Sequence, residues 1–445
     1  MRDELATPSK NELVADEALP IEIALQLAED LVDEHVGPIV EYAAGHDFYH
    51  EYSNVYQYVT RVQDTTVFSD TGRSDPQNTT GSGLDEGKAQ IKALAEAIER
   101  YCFTLTDLED FAHGEAVDVS LEAADPLCFN KFSDRQLEAR DLTREQIREA
   151  EYYWTAATEL VSGQRTLIPA QTVYLPFPES PQIRNPTSNG SAAHTSPRKA
   201  VLGGIGEVIE RESFVIHFLN ELPAPVLDPT SVDDERLATY HSVCRQKGLD
   251  VTLLDLTLDQ PLYTCLAVGY TDRKNRMIDL GLGAAATQLE AARDAMRELL
   301  QISKWETSDS DAVQEPGDII SLNERAHYWT GRDPEDDLSF WLDPDREPQP
   351  IPSDEERPND VLNAVLQWLS DNDFRCFVVD ATTDDIADQG FVAVKAVIPA
   401  LHPLYLIRDY RYLGGDRLYT VPVDVGLLDA PNDEAELNDT PHPFL

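Results

Sequence analysis

The chain has 445 residues, 42% of them hydrophobic, and a formal net charge of −47. Length and apolar content predict two or three structural units with a sizeable core. The acidic excess excludes non-specific binding to nucleic acid or to an anionic membrane surface, because both need clustered Lys and Arg.

Residues 1–19 are polar, and helical periodicity begins over 21–36. Alternating β-branched stretches over 55–68 predict strands, and the Ser, Thr, Gly and Asp of 69–83 predict a loop. That loop leads through GSGLDEGK, which is not a phosphate-binding P-loop. Five residues separate Gly81 from Gly87, and Ala89 follows the Lys where Ser or Thr is needed. Residues 89–103 then form an apolar helix that carries Glu96, Glu99 and Arg100. Residues 152–175 predict a hairpin turning at Ser162-Gly163.

The stretch 185–219 follows, a polar, turn-forming head NPTSNGS and a long helix. Thr195 or Ser196 suits the cap and Pro197 the first turn. The helix is apolar nearly all round, which predicts burial, yet it carries Glu207, Glu210 and Arg211 in the same E-x-x-E-R spacing. Gly203, Gly204 and Gly206 lack the spacing of a dinucleotide fingerprint and predict close helix packing instead. A third apolar helix over 289–302 places Glu298 and Gln301 at i, i+3.

One E-x-x-E-R alone reads as a solvated salt-bridge face. Repetition on helices with no other polar face predicts a site, because buried carboxylates are costly unless paired or bound to metal. Converging carboxylates suit a hard divalent cation, and Mg2+ commonly accompanies nucleotide phosphates.

Strand pairs are predicted at 251–257 with 262–270 and at 374–382 with 391–398; in both, the first strand ends in Asp-x-Thr. This predicts an α+β fold with internal duplication, helices packed on mixed sheets. Residues 309–360 read as an acidic surface insertion. The tail, 427–445, has the composition of a loose end, but Phe444 and Leu445 favour burial. The last five residues are therefore expected to pack near the Glu cluster, with His442 titrating near neutral pH. Deleting them is expected to impair catalysis more than folding.

The five cysteines form no C-x-x-C pair, which argues against a zinc site or disulfide framework and for free thiols in a reducing cytoplasm. Acidic and polar residues follow Met1 in place of the basic and apolar regions of a secretory signal, and the sequence predicts no bilayer-spanning apolar run. Acid spread along the whole chain fits a salt-adapted organism, and a basic partner is the alternative explanation.

The segment SNGSAAHTSPRKAVLGGIGEVIERESF resembles the signature of the YcaO superfamily, and ALAEAIERYC, LGLGAAATQLEAARDAMRELLQ, AVIPALHPLY, GGDRLY and the PHPF ending match in order. The resemblance is strongest to the cyclodehydratase D proteins of azole-containing peptide biosynthesis, the SagD-like group. It implies a YcaO-like fold with an N-terminal segment (1–59), a catalytic domain (60–430) and a proline-containing tail (431–445). It implies ATP and Mg2+ as cofactors, with Glu96, Glu99, Glu207 and Glu210 as metal ligands. Asn189, Arg211, Glu298 and Gln301 join those four as nucleotide contacts, and Pro443 and Leu445 of the tail would serve catalysis. The implied chemistry is attack of a Cys, Ser or Thr side chain on the preceding carbonyl, phosphorylation of the former amide oxygen by ATP, and loss of phosphate to leave an azoline. A ribosomally made precursor peptide and an E1-like or leader-binding protein are the implied partners, and a homodimer is allowed. Ser82, Lys92 and His194 depart from the family pattern, and the chain ends in Leu445 where Pro is common. Two other readings stand beside this one, a thioamide-forming YcaO enzyme and a non-catalytic docking scaffold.

Overall fold

The computed structural model describes residues 7–44, 55–66, 69, 78–119, 122–177, 180–270, 278–302, 322–330, 332–343, 345–353 and 357–444. In chain order its main elements are α1 (Ile21–Glu29), β1 (Ile39–Ala44), β2 (Tyr56–Val62), β3 (Asn78–Gly83), α2 (Glu86–Thr104), β4 (Ala112–Gly114), β5 (Tyr152–Glu159), β6 (Arg165–Pro169), β7 (Ser191–His194), α3 (Pro197–Leu219), β8 (Val226–Asp228), α4 (Glu235–Lys247), β9 (Asp250–Asp255), β10 (Tyr263–Tyr270), β11 (Ile278–Ala285), α5 (Gln288–Ile302), α6 (Leu322–Trp329), β12 (Gln349–Pro350), α7 (Val361–Asp371), β13 (Phe377–Asp380), β14 (Val392–Val397) and α8 (Asp416–Asp424). They form two compact units, Met1–Val208 with Leu366–Ala400, and Ile209–Val365 with Leu401–Leu445.

The first unit holds an antiparallel sheet β1-β2-β3 and a larger one ordered β4-β5-β13-β14-β7, with β6 paired to β5. The β5–β6 hairpin turns where Ser162-Gly163 predicts it, with Gly163 at φ +76°. Of the polar stretch 69–83 read as a loop, Asn78–Gly83 is instead a strand paired with β2. The reason is steric. A Cβ on Gly81 would lie 2.2 Å from the Ala89 carbonyl oxygen and 2.3 Å from the Ala93 nitrogen, so the absent side chain lets α2 lie directly on the strand.

The second unit holds a sheet ordered β11-β10-β9-β8-β12, in which β8–β12 is the parallel pair. The same strand-on-helix approach recurs. A Cβ on Gly281 would sit 2.2 Å from both the Ala295 oxygen and the Leu299 nitrogen of α5.

The predicted duplication extends to turn chemistry. After β9 the Thr257 N–H donates to Asp255 Oδ1 (2.9 Å), and the Thr264 N–H of the returning strand donates to Thr257 Oγ1 (3.1 Å). After β13 the Thr382 N–H donates to Asp380 Oδ1 (3.0 Å), and the Ala393 N–H donates to Thr382 Oγ1 (2.9 Å). Each Asp-x-Thr thus ends one strand and aligns the next.

One expectation needs correction. Part of the acidic stretch 309–360 is interior: Trp329, Leu338 and Trp341 are buried in the second unit because their apolar and aromatic surface outweighs the acid around them, and Arg325 is buried with its guanidinium donating to the Leu406 carbonyl. The chain end packs into the body, as its apolar residues predict. His442 is fully buried, edge-on to Phe214 at 5.4 Å, and Phe444 lies 5.6 Å from the same ring. The Trp329 indole N–H donates to the Pro441 carbonyl at 3.0 Å. Leu445 lies outside the described residues.

Candidate functional site

In the first unit the site is built on α2 and the N-terminal half of α3. Ser196 caps α3, accepting from the Lys199 N–H at 3.3 Å, and Pro197 opens its first turn. The glycines of α3 serve packing as predicted: a Cβ on Gly204 would meet the Gly190 carbonyl oxygen at 2.4 Å, so the 187–191 loop lies directly against the helix. The Gly190 N–H donates to Glu207 Oε2 at 2.8 Å, with Gly190 at φ +87°. On α2, Glu96 accepts from the Thr80 N–H at 3.2 Å, and Arg100 faces both Glu96 (3.3 Å) and Glu99 (3.5 Å).

Glu99 is the electrostatically unsettled member. Burial pushes its carboxyl up to about 8; Arg100 opposes that shift, and the neighbouring Glu207 and Glu96 add to it. A cation delivered to these carboxylates would relieve all three. Beside them the 187–191 loop leaves polar atoms unused. The Thr187 hydroxyl, both side-chain polar atoms of Asn189 and the Ser191 hydroxyl are buried without a hydrogen-bond partner. Buried polar atoms are rarely left unpaired, so this loop has the chemistry of a surface that a polar ligand completes.

In the second unit, Arg211 pairs with Glu210 (2.5 Å) and reaches Glu298 (3.9 Å), while its guanidinium lies 4.2 Å from the Phe444 ring centroid. Glu298 accepts from the Leu282 N–H at 2.8 Å, and Gln301 accepts from Arg297 at 3.2 Å. Glu96, Glu207 and Glu298 thus share one device: each helix carboxylate is fixed by a backbone N–H from the strand or loop packed against its helix. The chain end joins this cluster through Phe444. Pro443 is buried beside it. His442 does not titrate near neutrality: burial, aided by the Arg325 charge, lowers it well below the ordinary histidine value. Of the family departures, Ser82 is buried in β3, Lys92 is exposed on α2, and His194 Nδ1 accepts from the Ser196 N–H at 2.8 Å.

Sequence reasoning missed two groups. Glu212, fully buried, receives a forked pair of hydrogen bonds from Arg417 (2.8 and 2.9 Å) and one from the His402 N–H (3.0 Å). Lys395, 1% exposed in β14, lies close to Glu207 and Glu99. Burial and Arg184 pull its amine down to about 7 against the pull of those carboxylates. A Lys in the middle of FVAVKAVIPA was the available signal.

Among the described residues no group of three or more His, Cys, Asp or Glu side chains is gathered so as to hold a metal alone. Mg2+ does not require that, since it binds through one or two carboxylates plus phosphates and water. The donor set therefore fits a cation that arrives with a nucleotide. A cleft of about 530 Å³ lined by Thr230, His241 and Arg245 contains none of these residues. No helix among the described residues is long and apolar enough to cross a membrane.

The family model described as YcaO cyclodehydratase, ATP- and Mg2+-binding, matches residues 80–402. An uncharacterized protein of Methanothermobacter thermautotrophicus is 24% identical over 338 residues, which are 72% of this chain and 80% of that one. Among solved structures, a heterocyclase in complex with substrate and cofactor superposes with TM-score 0.80 at 22% identity, covering 99% of this chain. This chain spans only 59% of that heterocyclase. The YcaO protein of Methanopyrus kandleri, bound with AMPPCP and Mg2+, superposes with TM-score 0.63 at 18% identity, covering 88% of this chain and 94% of its own.

Proposed function

The chain belongs to the YcaO cyclodehydratase family, whose model is ATP- and Mg2+-binding, and from that premise we propose that it activates peptide backbone amides to form azolines from Cys, Ser or Thr. The observation that carries the reading is the pairing of a strained carboxylate with unused polar atoms: Glu99 is held protonated by burial and by Glu207 and Glu96, beside an Asn189 with both polar atoms unsatisfied.

ATP, with Mg2+, would supply the phosphoryl group that turns an amide oxygen into a leaving group. The chain's own work is placement and charge compensation. Glu96, Glu99, Glu207 and Glu210 are the proposed Mg2+ ligands. Asn189, Arg211, Glu298 and Gln301 are the proposed further nucleotide contacts. The N–H donors of Thr80, Gly190 and Leu282 fix Glu96, Glu207 and Glu298, so three carboxylates are aimed before anything binds. Glu207 and Glu210 are one turn apart on α3. Phe444, next to the buried Pro443, stacks on Arg211, which supports a role for the chain end in catalysis.

The SagD-like assignment, a precursor peptide with an E1-like presenting partner, a homodimer, a cytoplasmic setting and salt adaptation belong to the same proposal. The acidic composition supports the last. The test is Mg-ATP binding by calorimetry for the wild type, E99Q and N189A, with mass spectrometry of a Cys-containing precursor incubated with the partner protein. The expected results are weaker nucleotide binding in both variants and loss of one water per ring. Mg-ATP affinity unchanged in both variants would return these residues to a structural role, and a sulfur-for-oxygen exchange would favour the thioamide reading.

A further inference from the structure

The 187–191 loop carries the unsatisfied Asn189, and most of what anchors it is backbone. The Ser191 N–H donates to the Ser188 carbonyl (2.8 Å), and the Ala396 N–H donates to the Gly190 carbonyl (2.8 Å). Two side chains add to this. Glu207 accepts from the Gly190 N–H, and Lys395 Nζ donates to the Thr187 carbonyl. Lys395 sits opposite Ser191 in the β14–β7 register, so its stem rises beside the loop from the sheet floor. Its Nζ also lies 5.7 Å from the Phe103 ring centroid on α2. Its charged surroundings are Glu207 and Glu99 on one side of the balance and Arg184 and Arg100 on the other.

We propose that Lys395 is a positioning residue for the nucleotide site: by holding the Thr187 carbonyl it sets the loop that presents Asn189. This rests on the nucleotide-binding reading above. A lysine is costly inside a strand core and is kept when its donor has a specific task. The Thr187 carbonyl is such a task, because its loop has to stay in place with its own polar side chains unspent. The amine also feels the charges of Glu99 and Glu207, so the tether and the carboxylates belong to one electrostatic cluster.

The test is a double-mutant cycle on K395M and N189A, read as the affinity for Mg2+ with a non-hydrolysable ATP analogue. K395M keeps the stem and deletes the donor; losing a charged hydrogen bond corresponds to a weakening of about tenfold. The double variant should bind about as weakly as the worse single variant, since both changes remove one presented group, and K395R, which retains a donor, should recover part of the loss. A second readout needs no nucleotide. Amide exchange at Gly190 and Ser191 should quicken about tenfold in K395M, with exchange in the β9–β10 pair of the second unit unchanged. Additive losses in the cycle, or unchanged exchange in the loop, overturn the role of Lys395. Failure of the wild type to bind the analogue would instead overturn the nucleotide reading, and loop exchange would still decide Lys395. If K395M does not fold, K395L, which also deletes the donor, replaces it in both measurements, and wild-type loop exchange or additive losses with N189A in that variant overturn the proposal.

Discussion

Glu99 couples the candidate site to pH. Folded, it keeps its proton up to about pH 8, whereas its ordinary value is 4.5. Between those values the folded state binds the extra proton, so stability falls as pH rises through the window. Metal-free protein is therefore expected to lose thermal stability from about pH 5 to about pH 8, and E99Q should flatten that slope and gain about 1–3 kcal/mol near pH 8. Parallel slopes for the two proteins in chelator would refute the assignment. His442 acts with the opposite sign: its depressed folded value means that stability contributed by the neutral imidazole is lost below the ordinary 6.5. The Glu positions were legible because carboxylates on helices without a polar face require an explanation. Lys395 and Arg325 were not, since one lies in a short strand and the other in a stretch whose acid masks it.

At the level of elements, the recurring unit is a glycine-bearing strand pressed on a helix. Gly81→Ala and Gly281→Ala would each drive a methyl to 2.2 Å from helix backbone, which cannot yield as a side-chain tip does. We expect losses of about 2–4 kcal/mol by chemical denaturation, and weaker nucleotide binding in G81A because the Thr80 N–H would leave Glu96. Gly87→Ala is the control. Its Cβ would have only Asp85 Oδ1 near it, at 3.6 Å, and a helical Gly replaced by Ala gains about 0.5–1 kcal/mol. Equal effects at Gly81 and Gly87 would sink the steric argument. This unit was half legible. The Asp-x-Thr strands were read correctly, because Asp and Thr carry their own turn chemistry. The β3 strand read as loop, because small polar residues signal turns unless the helix that requires their smallness is known.

At the level of the whole molecule, burial of the chain end alters one expectation. Removing residues 441–445 exposes Phe214 and Phe218, leaves the Trp329 indole without its acceptor, and strips Phe444 from Arg211. A loss of about 3–5 kcal/mol is expected from the two buried rings alone, so truncation should lower the melting temperature together with any activity. An unchanged melting temperature would show the end to be dispensable for packing. The net charge of −47 gives the second prediction at this scale. Self-repulsion is screened by salt, and the melting temperature should climb as KCl rises from roughly 0.1 M to roughly 2 M. A flat or falling trend would remove the case for salt adaptation.

The strand order β4-β5-β13-β14-β7 also dictates when the first unit can be finished on the ribosome. β5, with its neighbours β4 and β6, and the outer strand β7 are translated early, but β13 and β14, which join β5 to β7, begin only at Phe377. With roughly 180 residues between His194 and Phe377, synthesis at ~5–20 residues per second leaves β5 and β7 unjoined for ~10–40 s. Unpaired strand edges invite pairing with other chains. Nascent chains of this protein should therefore engage chaperones throughout that interval and release them once Val397 has cleared the exit tunnel.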